Sequence, residues 1–144
     1  MAPAPDPAEK PTGKSGRGRG NKDLGDAGEA IAGRELLRLG FKIVETNYRV
    51  RAGEVDIIAL DGDEYVFVEV KTRLGLQFGG PEEAITARKK ARMIDVAQAY
   101  LEDISKPNAD WRIDVVTINR PTQVGPLRPT LLRNAVSQDD AGSS

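Results

Sequence analysis

The stretch GEVDIIALDGDEYVFVEVKTR, residues 53–73, constrains this chain more than any other. Two runs rich in Val, Ile, Phe and Ala flank Asp61-Gly62-Asp63, a tight-turn signal. The pattern predicts a β-hairpin with strands over residues 54–61 and 64–73. Antiparallel pairing then fixes which residues oppose each other. With Asp61 opposite Glu64, Asp56 falls opposite Glu69 and Glu54 opposite Lys71. A period of two places Glu54, Asp56, Glu69 and Lys71 on one face, with Ile58, Leu60, Tyr65 and Phe67 nearer the turn. Val55, Ile57, Ala59, Val66, Val68 and Val70 take the other face. Both faces are mainly apolar, so the sheet is expected to be covered on both sides.

Three carboxylates and one lysine at the open end of such a hairpin need an explanation. Directly opposed side chains have Cβ atoms about 4.5–5.5 Å apart. At that spacing Asp56 and Glu69 repel each other and lose solvation. A divalent cation between them removes the conflict. The plainer alternative is a Glu54–Lys71 ion pair, with Asp56 and Glu69 reaching solvent at the sheet end. Composition narrows the choice of ion. The chain has no histidine and no cysteine, which excludes imidazole catalysis, disulfides, and zinc held by nitrogen or sulfur. A metal here is held by oxygen, which favours Mg²⁺, Mn²⁺ or Ca²⁺.

The rest of the chain places this hairpin in a single α/β domain. Its 144 residues suit one core. Residues 1–20 are rich in Pro, Gly, Lys and Arg and read as a disordered basic tail, able to touch a polyanion or simply to solubilise. Leu24, Gly28, Ile31, Ala32, Glu35, Leu36 and Leu39 form a helical stripe over residues 21–39, and Gly40 ends it. Glu29 borders that stripe, where a solvated position is the ordinary outcome. Residues 41–50 read as a strand. Residues 74–80 form a glycine-bearing loop, and Pro81 opens a long helix to about Asp103 with Glu82 and Glu83 in its first turn. Residues 111–119, WRIDVVTIN, read as the last strand. The domain thus spans residues 21–120, and residues 121–144 read as a trailing arm and loose tail. The order helix-strand-strand-strand-helix-strand implies a mixed sheet, because the long helix returns the chain by a crossover. No apolar run approaches the roughly 18 residues of a membrane span, and the first residues lack a secretory signal. A cytoplasmic protein with no membrane partner is expected.

Asp56 followed on the next strand by Glu69-Val70-Lys71 resembles the PD-(D/E)xK, or restriction-endonuclease-like, superfamily. The longer string resembles a narrower group, the YraN-like family of predicted endonucleases. The matching features are Gly28-Glu29, GEVDIIA, VFVEVKTR, Lys89 early in the second helix, and RIDVV, together covering residues 21–119. Val55 stands where the superfamily pattern carries proline. The resemblance implies a restriction-endonuclease-like core and a metal-dependent endonuclease using Mg²⁺ or Mn²⁺. It implies that Asp56 and Glu69 are metal ligands with the Val70 carbonyl, and that Glu29 assists from the first helix. Lys71 would orient or deprotonate the attacking water, or stabilise charge on the phosphate. Three neighbouring acids favour an ammonium there, and with it an orienting or electrostatic role over that of a base.

Arg88, Lys89, Lys90 and Arg92 make the start of the second helix basic, and Arg49, Arg51 and Arg73 lie near the hairpin's open end. Such groups position a nucleic acid through its phosphates without reading sequence. A solvated helix face is the bland alternative for the RKKAR run. Few aromatic residues argue against single-strand stacking, so duplex or branched DNA is the expected partner. Cutting both strands of a duplex would call for a homodimer. The rival function is a nucleic-acid-binding module of the same fold without catalysis. Glu54 is open to Lys71, Arg73 or a metal shell, and Asp114 is expected to pair with Arg112.

Overall fold

The protein is described here from a computed structural model covering residues 19–74, 86–120 and 125–137. The elements run α1 (Arg19–Arg38), β1 (Lys42–Val50), β2 (Gly53–Asp61), β3 (Glu64–Leu74), α2 (Ala87–Asp103), β4 (Trp111–Arg120) and β5 (Arg128–Ser137). One five-stranded sheet has spatial order β1-β2-β3-β4-β5. All neighbours are antiparallel except β3 and β4, which are parallel and joined through α2. The fold is therefore α/β with a mixed sheet between two helices, as the sequence implies and compatible with a restriction-endonuclease-like core.

Each sheet face is covered by one helix. On the α2 side, Met93, Val96, Ala97, Tyr100 and Leu101 pack on Ile58, Phe67, Trp111, Ile113 and Val115. Tyr100 is the centre of an edge-to-face aromatic group, with ring centroids 5.1 Å from Tyr48, 5.7 Å from Phe67 and 6.0 Å from Tyr65. On the α1 side, Ala32, Leu36 and Phe41 pack on Ile57, Ala59, Val66, Val68, Val116 and Ile118. Gly40 takes a left-handed φ of +96° and ends α1, and Phe41 N–H donates back to the Leu36 carbonyl at 2.9 Å.

The predicted hairpin register holds from Asp61↔Glu64 to Ile57↔Val68, where the ladder stops. The expected face assignment stops with it. Val55 packs on the α2 side with Ile58, whereas Ile57 packs on the α1 side. The alternation slips at Asp56 because its side chain turns to the neighbouring strand.

Two further expectations are corrected. The long helix starts at Ala87, later than expected: Thr86 is extended (φ −80°, ψ 165°) and its hydroxyl caps the helix by accepting from Lys89 N–H at 3.1 Å. Residues 128–137, expected as part of a trailing arm, form β5 against β4. Pro129 argues against a central strand, but an edge strand can face the side that lacks an N–H outward. Arg19 and Gly20, expected in the basic tail, begin α1; the rest of that tail, residues 75–85 with Pro81, Glu82 and Glu83, residues 121–124 and the residues after 137 lie outside the described residues. Among the described residues no helix is long and apolar enough to cross a membrane.

Gly28 sets how closely α1 approaches the sheet. A Cβ there would collide with Thr72 Oγ1 and meet Ile118 Cγ1 at 3.7 Å. Gly28→Ala gains up to about 1 kcal/mol of helix propensity and loses roughly 1–3 kcal/mol to overpacking. A net loss of stability is expected in denaturant titration, with recovery in Gly28→Ala/Thr72→Ala. A stabilised single variant would show that α1 can move away freely.

Candidate active site

The topology brings several segments to one end of the sheet: the end of β1, the start of β2, the ends of β3 and β4, and the starts of β5 and α2. The Gly28 turn of α1 reaches the same end, against Thr72 and Ile118. Asp56, Glu69, Val70, Lys71, Glu29 and Lys89 are gathered there.

Asp56 and Glu69 carry the electrostatic conflict foreseen from the hairpin. Asp56 Oδ2 accepts a hydrogen bond from the Val70 N–H at 2.8 Å, a side chain standing in for a backbone acceptor where the ladder ends. Burial, and then the Glu69 carboxylate, push Asp56 from its ordinary 3.8 up to about 7, against the pull of the Val70 N–H; Glu29 and Glu54 add to the rise. The Glu29 charge thus acts on Asp56 from α1. Among the described residues Asp56 has no ion-pair partner.

Glu69 is placed differently. Its side chain is 7% exposed and two ammonium groups share its Oε2: Lys89 in direct contact and Lys71 at 3.9 Å. Lys89, expected to face a phosphate, instead points inward from the first turn of α2. Thr86 at the cap, three residues ahead, is the sequence signal that sets this turn. Glu54 departs from its expected partners as well. It lies opposite Arg49 across β1–β2 and pairs with that guanidinium at 3.3 Å, leaving Arg49 less free for a phosphate than the sequence suggested. Arg51 is exposed in the β1–β2 turn, Arg73 is half-buried on β3, and Arg88, Lys90 and Arg92 are exposed on α2.

Asp114 shows what a structural aspartate looks like in this fold. It is fully buried and accepts the Asn134 N–H at 2.8 Å, where β5 is bulged and Asn134 takes φ +57°. Unlike Asp56 it has a cation: Arg112 Nε donates to Asp114 Oδ1 at 3.0 Å. Arg112 also reaches Glu64 at 2.7 Å and Asp61 at 3.0 Å. Burial opposes the Arg112 charge, and these three carboxylates outweigh it and hold the guanidinium above its ordinary value. Both aspartates cap a broken ladder through a backbone N–H. Asp114 is neutralised and Asp56 is left in conflict with Glu69.

Among the described residues no three acids stand close enough to make a preformed metal cage. The oxygen donors that could hold a hard cation there are the Asp56 and Glu69 carboxylates and the Val70 carbonyl. That small set suits Mg²⁺, which keeps several waters of its own.

The family model described as "Uncharacterised protein family UPF0102" matches residues 28–118, from the Gly28 turn to Ile118 in β4. This chain belongs to the UPF0102 family. It is 43% identical to a UPF0102 protein of Symbiobacterium thermophilum over 115 residues, covering 80% of this chain and 97% of that one. It is 40% identical to one of Caldicellulosiruptor saccharolyticus over 114 residues, 79% of this chain and 97% of the relative. A Rhodococcus jostii UPF0102 protein is 48% identical over 98 residues, 68% and 83% of the two chains. The UPF0102 match, also called YraN-like, takes in every residue of the carboxylate site and leaves out β5.

Proposed function

We propose that this UPF0102 protein is a metal-dependent nuclease that hydrolyses phosphodiester bonds of duplex or branched DNA. The observation that carries the reading is the contrast between its two ladder-capping aspartates. Asp114 is neutralised by Arg112, whereas Asp56 is half-buried beside Glu69 with only a neutral N–H as its partner. A fold that supplies a guanidinium to one of these aspartates and not to the other is suited to receive a cation from solution. Asp56, Glu69 and the Val70 carbonyl would hold Mg²⁺ or Mn²⁺. When bound, the ion would supply positive charge to phosphate oxygens and lower the pKa of water. Lys71 Nζ, 3.9 Å from Glu69 and partly exposed, would orient water or meet developing charge on the phosphate. Glu29 adds negative charge from α1.

The test is cleavage of single-stranded, duplex, flap and four-way-junction DNA and of RNA, each with Mg²⁺, Mn²⁺ or EDTA. Wild type is run beside Asp56→Ala and Lys71→Ala. Metal-dependent cutting lost in both variants supports the reading. DNA binding without cutting, identical in all three proteins, would move it to the binding module.

The exposed Arg88 and Lys90 are proposed phosphate contacts. The double variant Arg88→Ala/Lys90→Ala is expected to weaken duplex binding and to lower the slope of log K against log salt by about 2. An unchanged slope would return this helix face to plain solvation.

A further inference from the structure

Glu69 draws its nearest cation from another element. The Lys89 ammonium of α2 lies directly on Glu69 Oε2, nearer than Lys71 of the same strand. The contact is built rather than incidental. Thr86 Oγ1 fixes the first helical turn through Lys89 N–H, and Met93, Val96 and Ala97 anchor the helix on the sheet below it. The Lys89 side chain is nevertheless 31% exposed, whereas the Arg112 side chain that neutralises Asp114 is 6% exposed and bonded to three carboxylates. One buried carboxylate has a fixed counter-ion and the other a counter-ion with a route to water. A four-carbon stem and a strongly hydrated head suit lysine to leave.

The same carboxylate is the one proposed to hold a divalent ion, and this inference rests on that reading. An ammonium and a divalent ion on one carboxylate stand within about 5 Å of each other, where like charges repel strongly. We propose that Lys89 is a displaceable counter-ion: it neutralises Glu69 in the metal-free protein and gives up that carboxylate when a divalent cation binds. Metal affinity is then set by competition between the ion and an internal ammonium. The charged groups in contact at Glu69 are Lys89 from α2 and Lys71 from β3. Asp56 faces it from β2, and Glu29 acts on that aspartate from α1.

Two measurements on the full chain test this. Mn²⁺ is titrated calorimetrically into wild type, Lys89→Met and Lys90→Met; methionine keeps the apolar stem. Lys89→Met is expected to bind Mn²⁺ about tenfold tighter. Lys90→Met, which removes an exposed ammonium from the next helix position, is expected to change affinity by less than about twofold. In ¹H–¹⁵N spectra of lysine ammonium groups, the Lys89 signal, identified by its loss in Lys89→Met, is expected to be protected in EDTA and to lose that protection with saturating Mg²⁺. Metal binding with an unmoved Lys89 signal and equal affinity in Lys89→Met overturns the displacement and leaves the metal reading standing. No Mn²⁺ binding by either wild type or Lys89→Met overturns both.

Discussion

Asp56→Asn is expected to lower metal-dependent cleavage by at least about 10²-fold and, in EDTA, to make the protein more stable than wild type. Both effects come from one carboxylate. In the folded chain Asp56 is raised from 3.8 to about 7, so between those pH values the folded state holds a proton that the unfolded chain releases. Stability of the metal-free protein therefore falls as pH rises from about 4 to about 7, and stays reduced above that. The penalty at pH 8 is up to about 4 kcal/mol, from about 1.4 kcal/mol for each unit between 3.8 and about 7. Asparagine removes the charge and keeps an oxygen for the Val70 N–H, 2.8 Å away in the wild type. Thermal melts in EDTA from pH 4 to 8 should show the variant drawing ahead of wild type as pH rises, by roughly 5 °C or more at the top of the range. Saturating Mg²⁺ should narrow the gap by stabilising wild type alone. A wild type that is more stable than Asp56→Asn at pH 8 in EDTA would refute the carboxylate conflict. Full cleavage activity in the variant would refute the site.

The second large effect is expected at the opposite end of the sheet. Arg112→Met removes the cation from Asp114, which is fully buried, and the bonds to Asp61 and Glu64 that tie the hairpin turn to β4. Removing one partner of a buried pair leaves an uncompensated charge and costs about 3–5 kcal/mol. Against a total stability of about 5–15 kcal/mol that is a large fraction. Chemical denaturation should show the loss directly. The double variant Arg112→Met/Asp114→Leu should recover part of it, because no buried charge is then stranded. Recovery should be incomplete, since the Asn134 N–H loses its acceptor. Arg112→Met within about 1 kcal/mol of wild type would mean that water reaches Asp114 and the network contributes little.

These two aspartates also show how far sequence reasoning carries. The pairing of Arg112 with Asp114 is legible because both lie on one strand, two residues apart on one face. The hairpin register is legible for the same kind of reason: a tight turn fixes where pairing starts, and a period of two carries it onward. It fails at Asp56, where a side chain replaces a backbone acceptor and the strand slips by one face. Nothing in the alternation of Val55, Asp56 and Ile57 signals that replacement. β5 is hidden because Pro129 and the mixture of polar and apolar residues in RPTLLRNAVS read as an arm. An edge strand needs only one apolar side and one hydrogen-bonding edge.

The sequence by itself determined that two carboxylates from adjacent strands would meet at the open end of a sheet covered on both faces, with only oxygen available to hold a metal. Turn chemistry, the hairpin register as far as Ile57 and Val68, and the absence of histidine and cysteine suffice for that, because each acts over a few neighbouring residues. Only the tertiary structure decided which cation each carboxylate receives. Glu54 goes to Arg49, Glu69 to Lys89, Asp114 to Arg112, and Asp56 to a neutral N–H. Those choices depend on how closely α1 docks at Gly28, where Thr86 starts α2, and where β5 bulges. Each is set by packing between elements distant in the chain, and an ionic contact made or lost over one or two ångströms cannot be read from local periodicity.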